Sequence, residues 1–531
     1  MEKYIKINSI NLFTITFLFI IFSSLFVQQI LLPYISPQWH AYPKYEDAYG
    51  LLLRMDMKEF HLLAMEQYRK VKEFGWSEFN ISPTGHEIAG IASFLYLIFY
   101  PSIFIITIVN ATLHGTVSVL LYKILLKLNI AKLPSFIAVL ILSFFPSSLL
   151  WNTQIHNEPF FITGTIFISY SLFYIIPKNN DKIKYVFYHF VFFLIGIILV
   201  FLVRPYFCDV ILYLSSLLYF FIIINSLIKI GSKKIFYQKT IILIFAIFIF
   251  TSNIHIYKTM RIISLTIEFI QNIELNTKNY LPKTITQILT SDEIIESDTN
   301  YLPKTKKQTQ TSEEKIEQEE LILKEDNQLE KKENIFLKRL KNIRKDPIYL
   351  QDIYNYKWDK NEIVPNFIET LFLRIAVYRH NFYPNIKENE ESSAIDRDIK
   401  FHNSFDVMKY VPKAVLIGIF SPFPNQWFSA GSLDETSFFK KIHLFEVILI
   451  YFFISIGLFL VFQKLFDVYF IVVFFYNISL IVLIALLTPN IGTLLRHRYG
   501  FIVVIFAILI SLVIEKFLIK KNLLKDDNNI N

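Results

Sequence analysis

The chain has 531 residues, of which 53% are hydrophobic, 17% aromatic and only 18% charged, with a formal net charge of +8 and a mean hydropathy of +0.42. Its apolar residues gather into runs of about 18–25, long enough to cross a hydrocarbon core of about 30 Å, which excludes an ordinary soluble globule. One cysteine, Cys208, excludes an internal disulfide and a multi-cysteine metal site, and so modest a charge on a membrane protein reports positive flanks rather than a nucleic-acid partner.

The runs predict about ten transmembrane helices, near 10–32, 102–126, 133–150, 159–176, 186–203, 206–228, 240–257, 444–462, 468–487 and 499–518. Lys3 and Lys6 precede the first run, which is too long for a signal-peptide core and has no small-residue cleavage site after it, so an uncleaved anchor is expected. Every second connection is rich in lysine: Lys123, Lys127 and Lys132; Lys178, Lys182 and Lys184; Lys229, Lys233, Lys234 and Lys239; Lys464; and the tail from Lys516 to Lys525. The positive-inside rule makes that side, with both termini, cytoplasmic. The expected fold is an all-α polytopic membrane protein with a large non-cytoplasmic loop region. It divides into an N-terminal module (1–257, with a first outer loop at 33–101), an outer insert (258–443) and C-terminal helices with a cytoplasmic tail (444–531).

Residues 51–74 carry apolar positions at helical spacing with charges between them, predicting an amphipathic helix that lies on the membrane surface or packs on an outer domain. The stretch 86–100 is apolar but short and is followed by Pro101, so a surface or re-entrant helix is expected there. In the insert, Asn279-Tyr-Leu-Pro-Lys-Thr284 recurs at Asn300–Thr305, and 304–346 is too polar to build a core. Aromatic residues return after Pro347, and Pro422 and Pro424 break the apolar run 415–428 into a segment expected to rest on the membrane.

Four outer-side groups can carry chemistry. Glu46 and Asp47 follow the first span; a carboxylate there can act as a general base or hold a divalent cation. The turn from Pro146 to Pro159 places His156 and Glu158 at the membrane boundary, where an ionisable residue is a functional candidate. Arg204-Pro205 ends the fifth span, suited either to snorkelling or to a lipid-borne phosphate. Arg496, His497, Arg498 and Tyr499 place cations on the side where the positive-inside rule disfavours them, and guanidinium donors suit phosphate oxygens. Histidines 156 and 497 can bind a cation, but no arranged ligand set accompanies them. No glycine-rich phosphate loop with the Walker pattern is present, so nucleotide hydrolysis has no support in the sequence.

Taken together, the acidic pair Glu46-Asp47, the turn with Pro146, Trp151, Glu158 and Pro159, the Arg204-Pro205 pair and the patch Arg496, Arg498 and Tyr499 resemble the GT-C superfamily of polyprenyl-phosphate-dependent glycosyltransferases. Protein O-mannosyltransferases and aminoarabinose transferases belong to it. The resemblance covers about two-thirds of the chain. It departs at Gly500, where the family usually keeps a proline nearby, and across 258–443. It implies an inverting transferase that moves a sugar from a polyprenyl phosphate to an envelope glycan, lipid or protein at the outer face of the cytoplasmic membrane. Asp47 or Glu46 resembles its catalytic base and Glu158 its second acidic site. Arg204, Arg496 and Arg498 would face the lipid phosphate, with His156, His497 and Tyr499 about the substrate and a divalent metal left open. The alternatives are a polysaccharide polymerase or ligase using a polyprenyl diphosphate and, well below it, a transporter or flippase, which wants mid-span charges and related halves.

Overall fold

The computed structural model describes residues 8–53, 56–175, 183–204, 356–382, 398–427, 434–464 and 468–521, with scattered positions in 207–218 and at 394–396. The helices are α1 (Ser9–Phe26), α2 (Asp56–Phe74), α3 (Glu87–Ile98), α4 (Ile103–Lys127), α5 (Lys132–Ser143), α6 (Pro146–Asn152), α7 (Glu158–Ile175) and α8 (Ile183–Val203). Beyond residue 355 follow α9 (Asn366–Phe382) and α10 (Ser404–Phe420), both within the expected insert 258–443, then α11 (Asp434–Lys464), which begins in it, α12 (Val468–Leu487) and α13 (Ile491–Lys520). Five described helices are long and apolar enough to cross a membrane: Ser9–Ile35, Ile103–Lys127, Leu444–Val461, Phe470–Leu487 and Ile491–Lys520. The chain is a multi-pass helical membrane protein. Most of the expected span 206–228, all of 240–257, and the insert from 258 to 355 with its short repeat lie outside the described residues.

Two spans differ from expectation for local reasons. Proline is favoured at the first position of a helix, and Pro146 starts α6 there, so the expected span 133–150 is two helices bent by 60°. The last span starts at Ile491 rather than 499, because the Asn490 side chain accepts the Thr493 backbone N–H at 3.0 Å and caps the helix. Arg496 to Tyr499 therefore lie within a helix and not in a turn.

Helix α13 is central and packs on α5, α7, α11 and α12. From Gly500 to Leu512 it is buried on every side, as a helix apolar all round must be. Glycines set the crossing of α7 and α8, where a Cβ added at Gly196 would fall 2.8 Å from the Gly164 carbonyl oxygen. Small residues of this kind let membrane helices approach closely. At one end of the bundle Lys127 lies over the Tyr174 ring and Ala131 N–H donates to Glu515 at 2.7 Å, gathering the C-terminal ends of α4, α7 and α13. The candidate residues collect at the opposite end.

There the loop 36–53 is tied back to the spans. Its two arms pair through Ala41 N–H to Leu51 O at 2.9 Å and Leu53 N–H to Trp39 O at 2.8 Å. At its base Gly50 (φ +78°) abuts Gln28, whose buried amide reaches Thr107 Oγ1 at 3.0 Å and Thr153 O at 2.8 Å. Gln154 completes the tie by donating to Gly50 O at 3.1 Å. Helix α2 follows; its buried stripe Met57, Phe60, His61, Ala64, Gln67 and Val71 is spent on packing that includes α3, while Glu66, Arg69 and Lys70 face outward. Of the two placements expected for 51–74, this is the packed helix.

In the C-terminal part of the insert, Glu369 of α9 fastens three segments: its carboxylate accepts from Trp358 Nε1 (2.8 Å), Asn361 N–H (3.2 Å) and Ser404 Oγ (2.6 Å). Burial pushes its carboxyl up, but the donors from Ser404, Trp358 and Asn361 outweigh that and hold it below its usual range. Arg379 donates to Leu486 O at 3.2 Å at the end of α12, and Ile395 N–H donates to Pro489 O at 2.8 Å beside the bridge of Ala394 with Asn490. Helix α10 ends before Pro422, as expected, and Trp427 Nε1 donates to Pro422 O at 2.8 Å.

Gly50→Ala is expected to destabilise the protein by about 1–3 kcal/mol, since a methyl group at this left-handed position meets Gln28 Cβ at 3.0 Å. Thermal unfolding in detergent checks it; an unchanged midpoint refutes the tie between loop and spans.

Candidate functional site

Glu158 opens α7 and Arg204 follows the last residue of α8, so an acid sits at a helix N-terminus and a cation at a C-terminus, each favoured by the backbone dipoles. Both are buried, and Arg204 Nη2 donates to Glu158 Oε1 at 2.5 Å. The guanidinium lies over the Phe161 ring at 4.6 Å. The second carboxylate oxygen of Glu158 meets His156 Nδ1. Burial, then the positive charges of Arg496 and Arg204, push the His156 imidazole well below its usual value, so the ring is neutral at pH 7, and its Nδ1 accepts the Glu158 backbone N–H at 3.5 Å.

Two further elements close the cluster. From the start of α13, Arg496 lies close enough to His156 to act on it, and the His497 ring meets Phe207 edge-on at 5.0 Å, with Phe207 in turn 5.2 Å from Phe161. Helix α2 lies alongside: Phe60 meets the His156 ring at 6.5 Å, and Asp56 accepts from Arg496 Nη1 at 3.2 Å. The Asp56 and Arg496 side chains are 55% and 43% exposed, so this pair is weak and open to exchange with an incoming anion. The structure thus joins His156, Glu158, Arg204, Arg496 and His497 and adds Asp56.

Asp47 pairs with Arg69 at 2.5 Å, and Glu46 is exposed on the same turn. The link from this turn to the cluster is α2, whose adjacent residues Phe60 and His61 touch His156 and Asp47 O respectively. His61 Nε2–H donates to Asp47 O at 2.7 Å, which leaves Nδ1 to accept from Tyr96 Oη at 2.8 Å. Only the neutral ring can do both. Burial lowers its pKa from 6.5, and the Asp47 carbonyl and charge offset this only in part. His40, lowered likewise by burial, accepts Gly50 N–H at Nε2 at 2.8 Å.

Arg498 and Tyr499 point elsewhere. Arg498 donates to the carbonyls of Ile417 (3.3 Å), Gly418 and Ser421 and to Ser421 Oγ (3.1 Å), closing the C-terminus of α10. Its donors are spent on backbone, a structural placement for a residue expected to face a lipid phosphate. Tyr499 stacks edge-on against Trp151 at 4.3 Å, and both line a cavity of about 20 Å³, room for one water, beside Glu446 and Arg498. Cys208 is buried near Ile197 O at 3.8 Å, as a packed thiol.

Among the described residues no three His, Cys, Asp or Glu side chains are grouped for a metal ion, and Glu158 is already engaged by Arg204 and His156. No protein-family model, curated protein or solved structure matches this chain.

Two outcomes are expected. Arg204→Met alone should cost about 3–5 kcal/mol by stranding Glu158, and Glu158→Gln added to it should restore part of that loss; additive losses in thermal unfolding would deny the coupling. As for pH, the unfolded chain protonates His61 and His40 near 6.5 while the folded rings titrate lower, so stability present above about pH 6.5 is lost as pH falls through the folded values. Protection of the backbone amides at 39–53 against hydrogen exchange, taken relative to each amide's intrinsic rate at the same pH, should fall on acidification, and less so in His61→Gln.

Proposed function

We propose that the chain is a membrane glycosyltransferase that moves a sugar from a polyprenyl-phosphate donor to an envelope glycan, lipid or protein hydroxyl. The reading includes a GT-C-like arrangement of about ten spans, with both termini cytoplasmic and the reaction at the outer face of the cytoplasmic membrane. The observation that carries it is the exposed Asp56–Arg496 pair, set against the buried Glu158–Arg204 pair at the end of the bundle away from the lysines. Such a site offers a carboxylate for an acceptor proton and guanidinium groups for a departing phosphate.

The chemistry follows from charge. The acceptor oxygen attacks the anomeric carbon as the bond from that carbon to the phosphate oxygen breaks, and a single displacement inverts the configuration. The acceptor proton passes to a carboxylate, and the phosphate leaves as an anion stabilised by fixed cations, the larger contribution to rate. An incoming phosphate competes with Asp56 for Arg496, and that exchange frees the carboxylate to act as base. Asp56 suits the role better than Asp47, since Arg496 is part of the cluster whereas the Asp47 partner, Arg69, projects from the outer face of α2. Glu158, locked in its pair, holds Arg204 and His156 in position.

The test supplies membranes bearing the protein with a short-chain polyprenyl-phosphate hexose and follows release of polyprenyl phosphate by mass spectrometry. Asp56→Asn should lower the rate by about 10²–10⁴-fold, whereas Asp47→Asn retains most of it. Unchanged turnover in Asp56→Asn removes Asp56 as the base. Turnover only with a diphosphate donor favours the polymerase or ligase alternative.

A further inference from the structure

Helices α2 and α3 form two layers of opposite character. The outward face of α2 is charged, with Glu66 and Lys70 side chains 59% and 54% exposed. Helix α3, at 12 residues, is too short to cross a membrane, yet beyond Glu87 in its first turn it is largely apolar. One of its faces, with Ile88, Ala89, Ala92 and Tyr96, is buried, and the helix packs on α2, α4 and α8. The opposite side and the C-terminal tip present Phe94 (42% exposed), Ile98 (51%), Phe99 (66%) and Tyr100 (68%). Three residues after Tyr100, at Ile103, the chain enters α4, a membrane span.

We propose that this tip is a lipid-seated foot: Ile98, Phe99 and Tyr100 lie in the acyl–headgroup boundary of the leaflet bordering the start of α4, and α3 returns without crossing. Three observations select lipid as the occupant. The patch is continuous with a span; its neighbours α4 and α8 are apolar helices; and the water-facing charges of the assembly are carried by the other layer, α2. An aromatic ring with a polar tip, as in Tyr100, suits the headgroup level. The foot is joined to the site through Tyr96, whose hydroxyl donates to His61 Nδ1 at 2.8 Å, and through His61 to Asp47 O at 2.7 Å. Lipid packing against α3 therefore bears on the loop that carries Asp47 and on the helix that carries Asp56 and Phe60.

Nitroxide labels at single cysteines test this in the full chain, in a Cys208→Ala background, reconstituted in phosphatidylcholine–phosphatidylglycerol vesicles. Positions are Ile98→Cys and Phe99→Cys on the foot, with Glu66→Cys and Lys70→Cys as water-facing references. Expected is a several-fold higher ratio of oxygen to nickel-chelate collision at 98 and 99 than at 66 and 70. Equal ratios at all four positions would place the foot in water and overturn the proposal. Low collision with both reagents at 98 and 99 would mean a protein partner covers them and would overturn it equally. Because the readout is collision and not turnover, it stands apart from the proposed sugar transfer.

Discussion

The Glu158–Arg204 pair fixes where the candidate site can be. An ion pair buried among apolar helices has no water to fall back on, so the start of α7 and the end of α8 must stay in register for both charges to remain compensated. The Gly164–Gly196 crossing brings the two backbones together, and the pair sets their ends level. His156 and the Phe161–Phe207 rings then assemble around a carboxylate that cannot move, and α13 adds Arg496 and His497 from the other side.

Much of this end of the molecule could be read from residue types. Hydropathy marked the described spans, and acids and arginines at the ends of apolar runs marked Glu158, Arg204 and Arg496, because charge at a membrane boundary is rare without a partner. What one dimension could not supply was direction. Arg496 and Arg498 are two residues apart, but roughly 200° of helical rotation separates their side chains. One faces the site and the other closes the C-terminus of α10. Without knowing that α13 begins at Ile491, the two arginines look alike.

Asp56 was missed for a related reason. In sequence it is one charge among several in an amphipathic stretch, and acids are ordinary in the first turn of a helix. Only its contact with Arg496, 440 residues away in the chain, distinguishes it. Asp47 stood out because it is adjacent to another acid and soon after a span, yet its neighbour in space is Arg69 from the same outer region. The bend between α5 and α6 was missed too: the apolar run reads through Pro146 as one span, whereas that proline starts a second helix.

The seam at Ile395 and Pro489 has a consequence for the heading of α13. A strand-like stitch from one stretch of chain holds the corner from which another departs, and Arg379 clamps the same corner through Leu486. The tilt at which the site's cations are delivered is thus inherited from residues that never touch them. A chimera that exchanged the outer segment but lost that stitch would keep every charged side chain and still aim them wrongly.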